Sequence, residues 1–278
     1  MTVAAERPSR VLSGLRRSAI VGGPVKRLNL SGWLVVALVA GIGELAVRVF
    51  DLEDSVAAPS DALRALGTGL WSGGLSSELA TTLESYLEGL ALAVAFGVVL
   101  GLLIGGSAVL LEALSPLIEF MRPIPAVAII PLAVLFLGLD APMRRFVIAF
   151  AAFWPVLINT IYGVRGGDRL LHDVARTSGM SGPGRLVRVA LPMALPGIAT
   201  GIRVSASLAL LVGVTAEYLV GTEGIGAYMR HQREGVQLPE LYAAVLLVGA
   251  LGYAVNVGLR LAQRRVLFWV GEDRAGVR

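Results

Sequence analysis

The chain has 278 residues, 55% of them hydrophobic and only 16% charged, with no cysteine and a formal net charge of +4. A soluble protein of this length carries roughly a quarter charged residues, and a mean hydropathy of +0.74 leaves more apolar surface than one water-soluble core can hide. The composition therefore excludes a soluble domain, and the missing thiols exclude disulfides, thiol nucleophiles and cysteine-ligated metals.

Six apolar runs follow one another at 33–50, 83–111, 114–139, 146–164, 191–220 and 241–261. A bilayer-spanning helix needs about 20 apolar residues, and the runs are filled by Leu, Ala, Val and Gly without the alternation a lipid-facing barrel requires. The predicted fold class is an all-α polytopic membrane protein with six transmembrane helices. Residues 1–31 form an amino-terminal segment, 32–265 the transmembrane domain and 266–278 a tail. A cleaved signal peptide ending near Ala57-Ala58 competes for the start. About 32 residues before the apolar core is long for one, so the first run is read as an anchor.

In the second run Gly97, Gly101 and Gly105 stand four apart. They put a groove of small residues on one helix face, suited to close packing of another helix and, as the lesser reading, to a pore lining. The third run contains Pro123, Pro125 and Pro131 beside Arg122. Each proline removes a backbone donor, so the helix must kink or unwind, and irregular backbone at membrane depth is tolerated only against protein or a water-filled cavity. Residues 122–131 are therefore expected beside a translocation path, with a plain kink as the alternative for any one proline.

After the fourth run comes a segment, 165–191, in which Leu170, Leu171, Val174 and Ala175 share one face of a short helix. Gly179 is placed to end it in the left-handed conformation, and Gly182-Pro183-Gly184 turns the chain back. Such a helix either rests at the lipid headgroups or inserts as a knob into a groove of another protein. In the fifth run Arg203 attracts an anion, pairs with an acid or snorkels, while Ser205 and Ser207 suit backbone hydrogen bonding better than nucleophilic work. Glu217, near the end of this run, would be costly on a lipid-facing surface; a gate or packing role is expected. The loop 221–238 is predicted to carry a short helix over 225–233 and, with 52–74, to offer an outer surface to a partner.

Lysine and arginine set the orientation. Arg7, Arg10, Arg16, Arg17, Lys26 and Arg27 precede the first run; Arg165, Arg169, Arg176, Arg185 and Arg188 follow the fourth; Arg260, Arg264, Arg265, Arg274 and Arg278 close the chain. Opposite stand only Arg64, Arg144, Arg145, Arg230 and Arg233. Both termini and the 165–191 loop are thus predicted to be cytoplasmic, with Arg144 and Arg145 as the local exception. This lopsidedness accounts for the net charge without a nucleic acid. There is one lysine, Lys26, and no G-x-x-x-x-G-K-[ST], so the chain has no phosphate-cradling P-loop. His172 and His231 are the only histidines and fall in loops on opposite sides, which leaves no metal or Ser-His pair to assemble.

Asp173, Ala175, Gly179, Val189, Leu191 and Pro192 reproduce the spacing acidic-x-Ala-x-x-x-Gly, nine residues, aliphatic, one residue, Leu-Pro. This resembles the cytoplasmic EAA loop of the permease subunits of binding-protein-dependent ABC importers. Two positions depart from that pattern: Asp173 stands for the usual Glu and Val174 for the usual first Ala, which shortens and broadens the docking face. Thr81-Thr82-Leu83 with Gly89, Arg122-Pro123-Ile124-Pro125 with Ile130-Pro131-Leu132, Pro155 with Asn159-Thr160, Gly201 with Arg203, and Ala216-Glu217 before Gly224-Ile225-Gly226 extend the resemblance over about 58–265, to the branch that imports sulfonates, taurine and nitrate.

The resemblance implies the type I ABC importer permease fold in a bacterial inner (plasma) membrane. It also implies a second permease copy, taken as a homodimer, two ATP-binding cassette subunits and an extracytoplasmic solute-binding protein. ATP and Mg would sit on the partner ATPase, and this chain would hold no cofactor, metal or catalytic residue. Leu170, Leu171, Asp173, Val174, Ala175, Arg176, Ser178 and Gly179 would form the coupling helix; Arg122, Pro123, Pro125, Pro131, Asn159, Arg203 and Glu217 would line or gate the path. An ion-gradient-driven transporter shares the hydropathy but calls for a carboxylate at mid-depth, and a membrane scaffold or enzyme would leave the loop spacing a coincidence.

Overall fold

The computed structural model describes residues 30–52, 55–167, 171, 174–175 and 177–268, and among them it contains helices and no strand. Two units are separable: Met1–Gly43, whose described part is the first stretch of helix α1 (Leu30–Val49), and Glu44–Arg278, which holds the rest. In the first unit Leu34, Val35, Val36, Leu38, Val39 and Ile42 are all exposed. Twenty residues of α1 correspond to about 30 Å of helix, one hydrocarbon thickness.

The second unit continues with α2 (Pro59–Trp71), α3 (Gly74–Gly106), α4 (Ala108–Met121), a 3-10 turn (Ala126–Ile129), α5 (Ile130–Leu137) and α6 (Ala141–Arg165). One helical turn (Gly182–Arg185) and a π segment (Leu186–Ala190) then lead into α7 (Leu191–Val220), followed by α8 (Ile225–Glu234) and α9 (Leu238–Val266). Four stretches are long and apolar enough to cross a membrane: Gly74–Gly106, Ala141–Arg165, Leu186–Val220 and Leu238–Val266. A fifth is broken, its halves Ala108–Met121 and Ala126–Leu137 meeting at 82°. With α1, this arrangement is consistent with the six spans expected.

Most span boundaries shift by a few residues, and the second helix departs most, beginning at Gly74 rather than at 83. The second run ends at Gly106 rather than Leu111, because Ser107 leaves the helix (φ −128°, ψ 120°) and its Oγ accepts the Leu110 N–H at 3.3 Å. A serine cap thus starts α4 inside what reads as one continuous apolar stretch.

The core is α3, α6 and α7, packed at backbone distance. A Cβ on Gly97 would lie 2.8 Å from Val156 Cγ1, one on Gly101 2.5 Å from Thr160 Cβ, and one on Gly105 3.0 Å from Val164 Cβ. The four-residue glycine row is therefore a packing seam against α6, the favoured sequence reading. On the other side of α6, Gly197 and Gly201 of α7 approach the carbonyls of Asn159 and Pro155, and Ser205 Oγ donates to the Ala152 carbonyl at 2.6 Å. Outward faces are apolar: Phe96, Val99 and Leu103 of α3, Leu211 and Leu219 of α7, and Leu246 and Tyr253 of α9 are exposed, as a lipid solvent requires.

The two prolines after the glycine turn have a structural consequence. Pro192 can donate no hydrogen bond, and its ring would press on the Arg188 carbonyl in a regular α-helix. The backbone there widens into the π segment, and the Leu191 N–H reaches back five residues to the Leu186 carbonyl. Pro196 lies one turn further along α7.

Candidate functional site

The break in the third span is built by Arg122, the C-cap of α4 with its backbone still helical (φ −57°, ψ −45°), and by Pro123, Ile124 and Pro125, which connect it to the 3-10 turn. Arg122, Ile124 and Ala126 there face Phe150, Trp154 and Asn159 of α6 and Val204, Leu208 and Val212 of α7 around a cleft of about 470 Å³. A second cleft, of about 330 Å³, lies between α4 and α6 and is lined by Ser115, Glu119, Tyr162 and Arg165 among others. Arg122 and Ile158 belong to both linings, so the two spaces adjoin at that pair.

Polarity differs between them. Among the described residues lining the larger cleft Arg122 is the only ionisable one, and Asn159 and Trp154 supply the other side-chain nitrogens. Asn159 Nδ2 donates to the Pro155 carbonyl at 2.8 Å, which anchors the amide on its own helix. The Trp154 indole nitrogen is buried without an acceptor, and its ring stands edge-on to Phe150 and Phe153, with centroids 5.8 and 5.0 Å away.

A separate constellation closes the end of the core beside α8. Glu217 is fully buried; its carboxylate accepts Thr82 Oγ1–H at 2.9 Å and the Gly226 N–H at 3.1 Å. Thr82 Oγ1 in turn accepts the Ile225 N–H at 2.8 Å, and the Glu78 carboxylate accepts the Gly224 N–H. The start of α8 is thereby tied to α3 and α7. Gly224 adopts φ +96°, and a Cβ on Gly226 would come within 2.6 Å of Glu217 Cβ, so both positions of Gly224-Ile225-Gly226 need glycine. The expected helix 225–233 is α8 to within one residue.

The two arginines that break the charge rule lie beside this cluster. Arg144 is buried; its Nε donates to Ser85 Oγ at 3.2 Å and its guanidinium lies 3.8 Å from the Glu223 carboxylate. Arg145 pairs with Glu88 and Glu84. Acids from α3 and from the 221–224 turn thus accompany both cations.

Of the coupling-loop residues, Leu170, Asp173 and Arg176 lie outside the described residues. Leu171 and Val174 are helical and half exposed, whereas Ala175 is buried. The Ser178 N–H bonds to the Val174 carbonyl at 2.9 Å and the Met180 N–H to the Ala175 carbonyl at 3.1 Å, with Gly179 at φ +73°. This is the six-to-one closure of a Schellman cap, which ends the helix at Gly179 as its spacing predicts.

Arg122 and Asn159 thus line a common cleft, whereas Pro123, Pro125 and Pro131 are exposed and outside both linings. Pro131 instead opens α5. Arg203 is half-buried and lines neither cleft, and Glu217 belongs to the α8 tie. Phe150, Trp154, Val204 and Leu208 were missing from the sequence reading, since their spacing matches ordinary packing. Arg144 and Arg145 were legible only as a charge anomaly; Glu223 was the signal that would have paired the first, and Glu84 and Glu88 the second.

The model of the family described as binding-protein-dependent transport system inner membrane component matches residues 93–270. The putative aliphatic sulfonates transport permease protein SsuC of Escherichia coli (strain K12) is 36% identical over 152 residues, 55% of this chain and 58% of that protein. The bicarbonate transport system permease protein CmpB of Synechococcus elongatus is 35% identical over 166 residues, 59% and 60% respectively. The match thus spans less than two thirds of each of these relatives. A solved structure of the MetNI methionine ABC transporter in inward-facing conformations contains a chain with TM-score 0.54 and 19% identity, covering 73% of this chain and 97% of that one; the likeness is one of fold.

Proposed function

We propose that this chain, which belongs to the family of binding-protein-dependent transport system inner membrane components, forms the translocation path of an ATP-driven importer for a small organic or inorganic anion. It is a membrane-spanning transport permease and not an enzyme. The observation that carries the reading is the broken third span, whose junction residues Arg122 and Ile124 line a cleft that has, among the described residues, one cation and otherwise uncharged walls. Non-helical backbone at membrane depth is stable only where it borders protein or water, and a solute path provides the water.

Movement would come from a separate ATPase that holds ATP and Mg and docks on the helix capped at Gly179, where Leu171 and Val174 project outward. In this reading two copies of the chain pair, both termini are cytoplasmic, and α2 and α8 face an external binding protein. The anion class is supported by Arg122 in the cleft and by relatives described as sulfonate and bicarbonate permeases; sulfonate, taurine and nitrate-like anions are the expected solutes.

Co-expression with a cognate ATPase and purification in mild detergent test it. The ATPase is expected to travel with the chain, and proteoliposomes supplied with the binding protein should accumulate solute only when ATP is present. Uptake driven by an ion gradient without ATPase would contradict the proposal.

A further inference from the structure

We infer that Arg122 is the charge-selecting residue of the path, and that the larger cleft takes an anion carrying an apolar body. The inference rests on the reading of the chain as a permease. Arg122 caps the end of α4 where the span bends by 82°, and with Ile158 it borders both clefts. A solute crossing from one space to the other passes this side chain. Arg122 forms no ion pair with any described residue, although Glu119 lies one helical turn earlier in the smaller cleft's lining. Its charge is therefore available to a solute.

The walls determine what else the solute carries. Phe150, Ile158, Val204, Leu208 and Val212 surround the larger cleft, and no carboxylate lines it among the described residues. A single cation among low-dielectric walls sets a positive potential that raises the local concentration of anions and lowers that of cations. A compact inorganic anion would lose hydration there and recover one charge contact. An anion with an apolar body regains more, because each methylene removed from water against Val204 or Leu208 favours entry. A space of about 470 Å³ falls within the usual range for small-molecule sites.

The chain contains no cysteine, so a single thiol reports on the cleft. Val204→Cys, with its partners in proteoliposomes, is treated with an anionic (sulfonatoethyl) or a cationic (trimethylammonioethyl) methanethiosulfonate, and modification is read from the mass of the intact chain. Relative to a small free thiol, the anionic reagent is expected to gain on the cationic one by on the order of tenfold. Arg122→Gln should abolish that gain and Arg122→Lys should keep it, and 1-butanesulfonate should slow labelling more than nitrate at equal concentration. An unchanged reagent ratio in Arg122→Gln would overturn the selecting role while leaving the water-filled path intact. Equal slowing by the two salts would overturn the apolar-body assignment. Inertness to both reagents would remove the path itself, and the permease reading of this cleft with it.

Discussion

Glu217 and Thr82, 135 positions apart in the chain, meet at 2.9 Å in a site closed to solvent. Thr82 both donates to the carboxylate and accepts the Ile225 N–H, so one hydroxyl links the end of α7 to the start of α8. Thr82→Val removes both bonds at nearly constant shape, leaving the buried Ile225 N–H unpaired and the Glu217 carboxylate with the Gly226 N–H alone. We expect a loss of about 2–4 kcal/mol, whereas Thr82→Ser should stay within about 1 kcal/mol. Thermal unfolding in detergent and proteolytic nicking within 221–238 would check it; equal stability of the Val and Ser variants would contradict the linking role.

The glycine seam predicts a contrast between two alanine substitutions. Gly101→Ala places a methyl 2.5 Å from Thr160 Cβ, and overpacking of this kind costs about 1–3 kcal/mol. Gly249→Ala, in α9 with nothing within 4 Å of its Cβ, should be neutral or stabilise by up to about 1 kcal/mol through helix propensity. A lowered detergent melting temperature for Gly101→Ala and an unchanged or raised one for Gly249→Ala are the expected results.

Coupling is tested at the cap. Gly179 sits at φ +73°, where a Cβ costs about 1–2 kcal/mol, and proline is excluded because its ring holds φ near −65°. Gly179→Pro and Ala175→Glu should insert normally yet lose ATP-dependent uptake by on the order of tenfold or more, with Gly179→Ala intermediate. Since Ala175 is buried, its glutamate variant also brings an unpaired charge into a packed site. Full uptake by Gly179→Pro would refute a role for this turn in transmission.

Arg144 and Arg145 should behave differently although they are neighbours. Arg145 is partly exposed and paired with accessible acids, so Arg145→Ala is expected to cost under about 1 kcal/mol. Arg144→Ala empties a buried site and leaves Ser85 without its partner, with an expected loss of about 2–4 kcal/mol. Matched melting curves of the two variants would decide between them.

These contrasts show which features were legible beforehand. Gly179 announced the end of its helix because the αL cap is a one-residue signal, and Pro123 with Pro125 announced an interrupted span because a missing N–H is local too. Ser107 was hidden, since its cap replaces one hydrogen bond within a run whose hydropathy scarcely changes. The link from Glu217 to Thr82 had no local trace at all: a carboxylate's partner 135 positions away is chosen by how α3 and α7 pack. Phe150 and Trp154 were invisible for a different reason. Apolar side chains that line a cleft and those that fill a core obey the same periodicity, and only the absence of a neighbour distinguishes them.

The wide turn over Leu186–Ala190 is in effect one surplus residue held in the chain by Pro192. Deleting one residue there cannot restore ordinary pitch while Pro192 still crowds the carbonyl four residues back; combined with Pro192→Ala, the coil is expected to close to 3.6 residues per turn with its two flanks still in phase. The extra residue thus works as a spacer that lets a proline sit inside a continuous coil: its loss alone should lower the melting temperature in detergent, and its loss together with the proline should leave it unchanged.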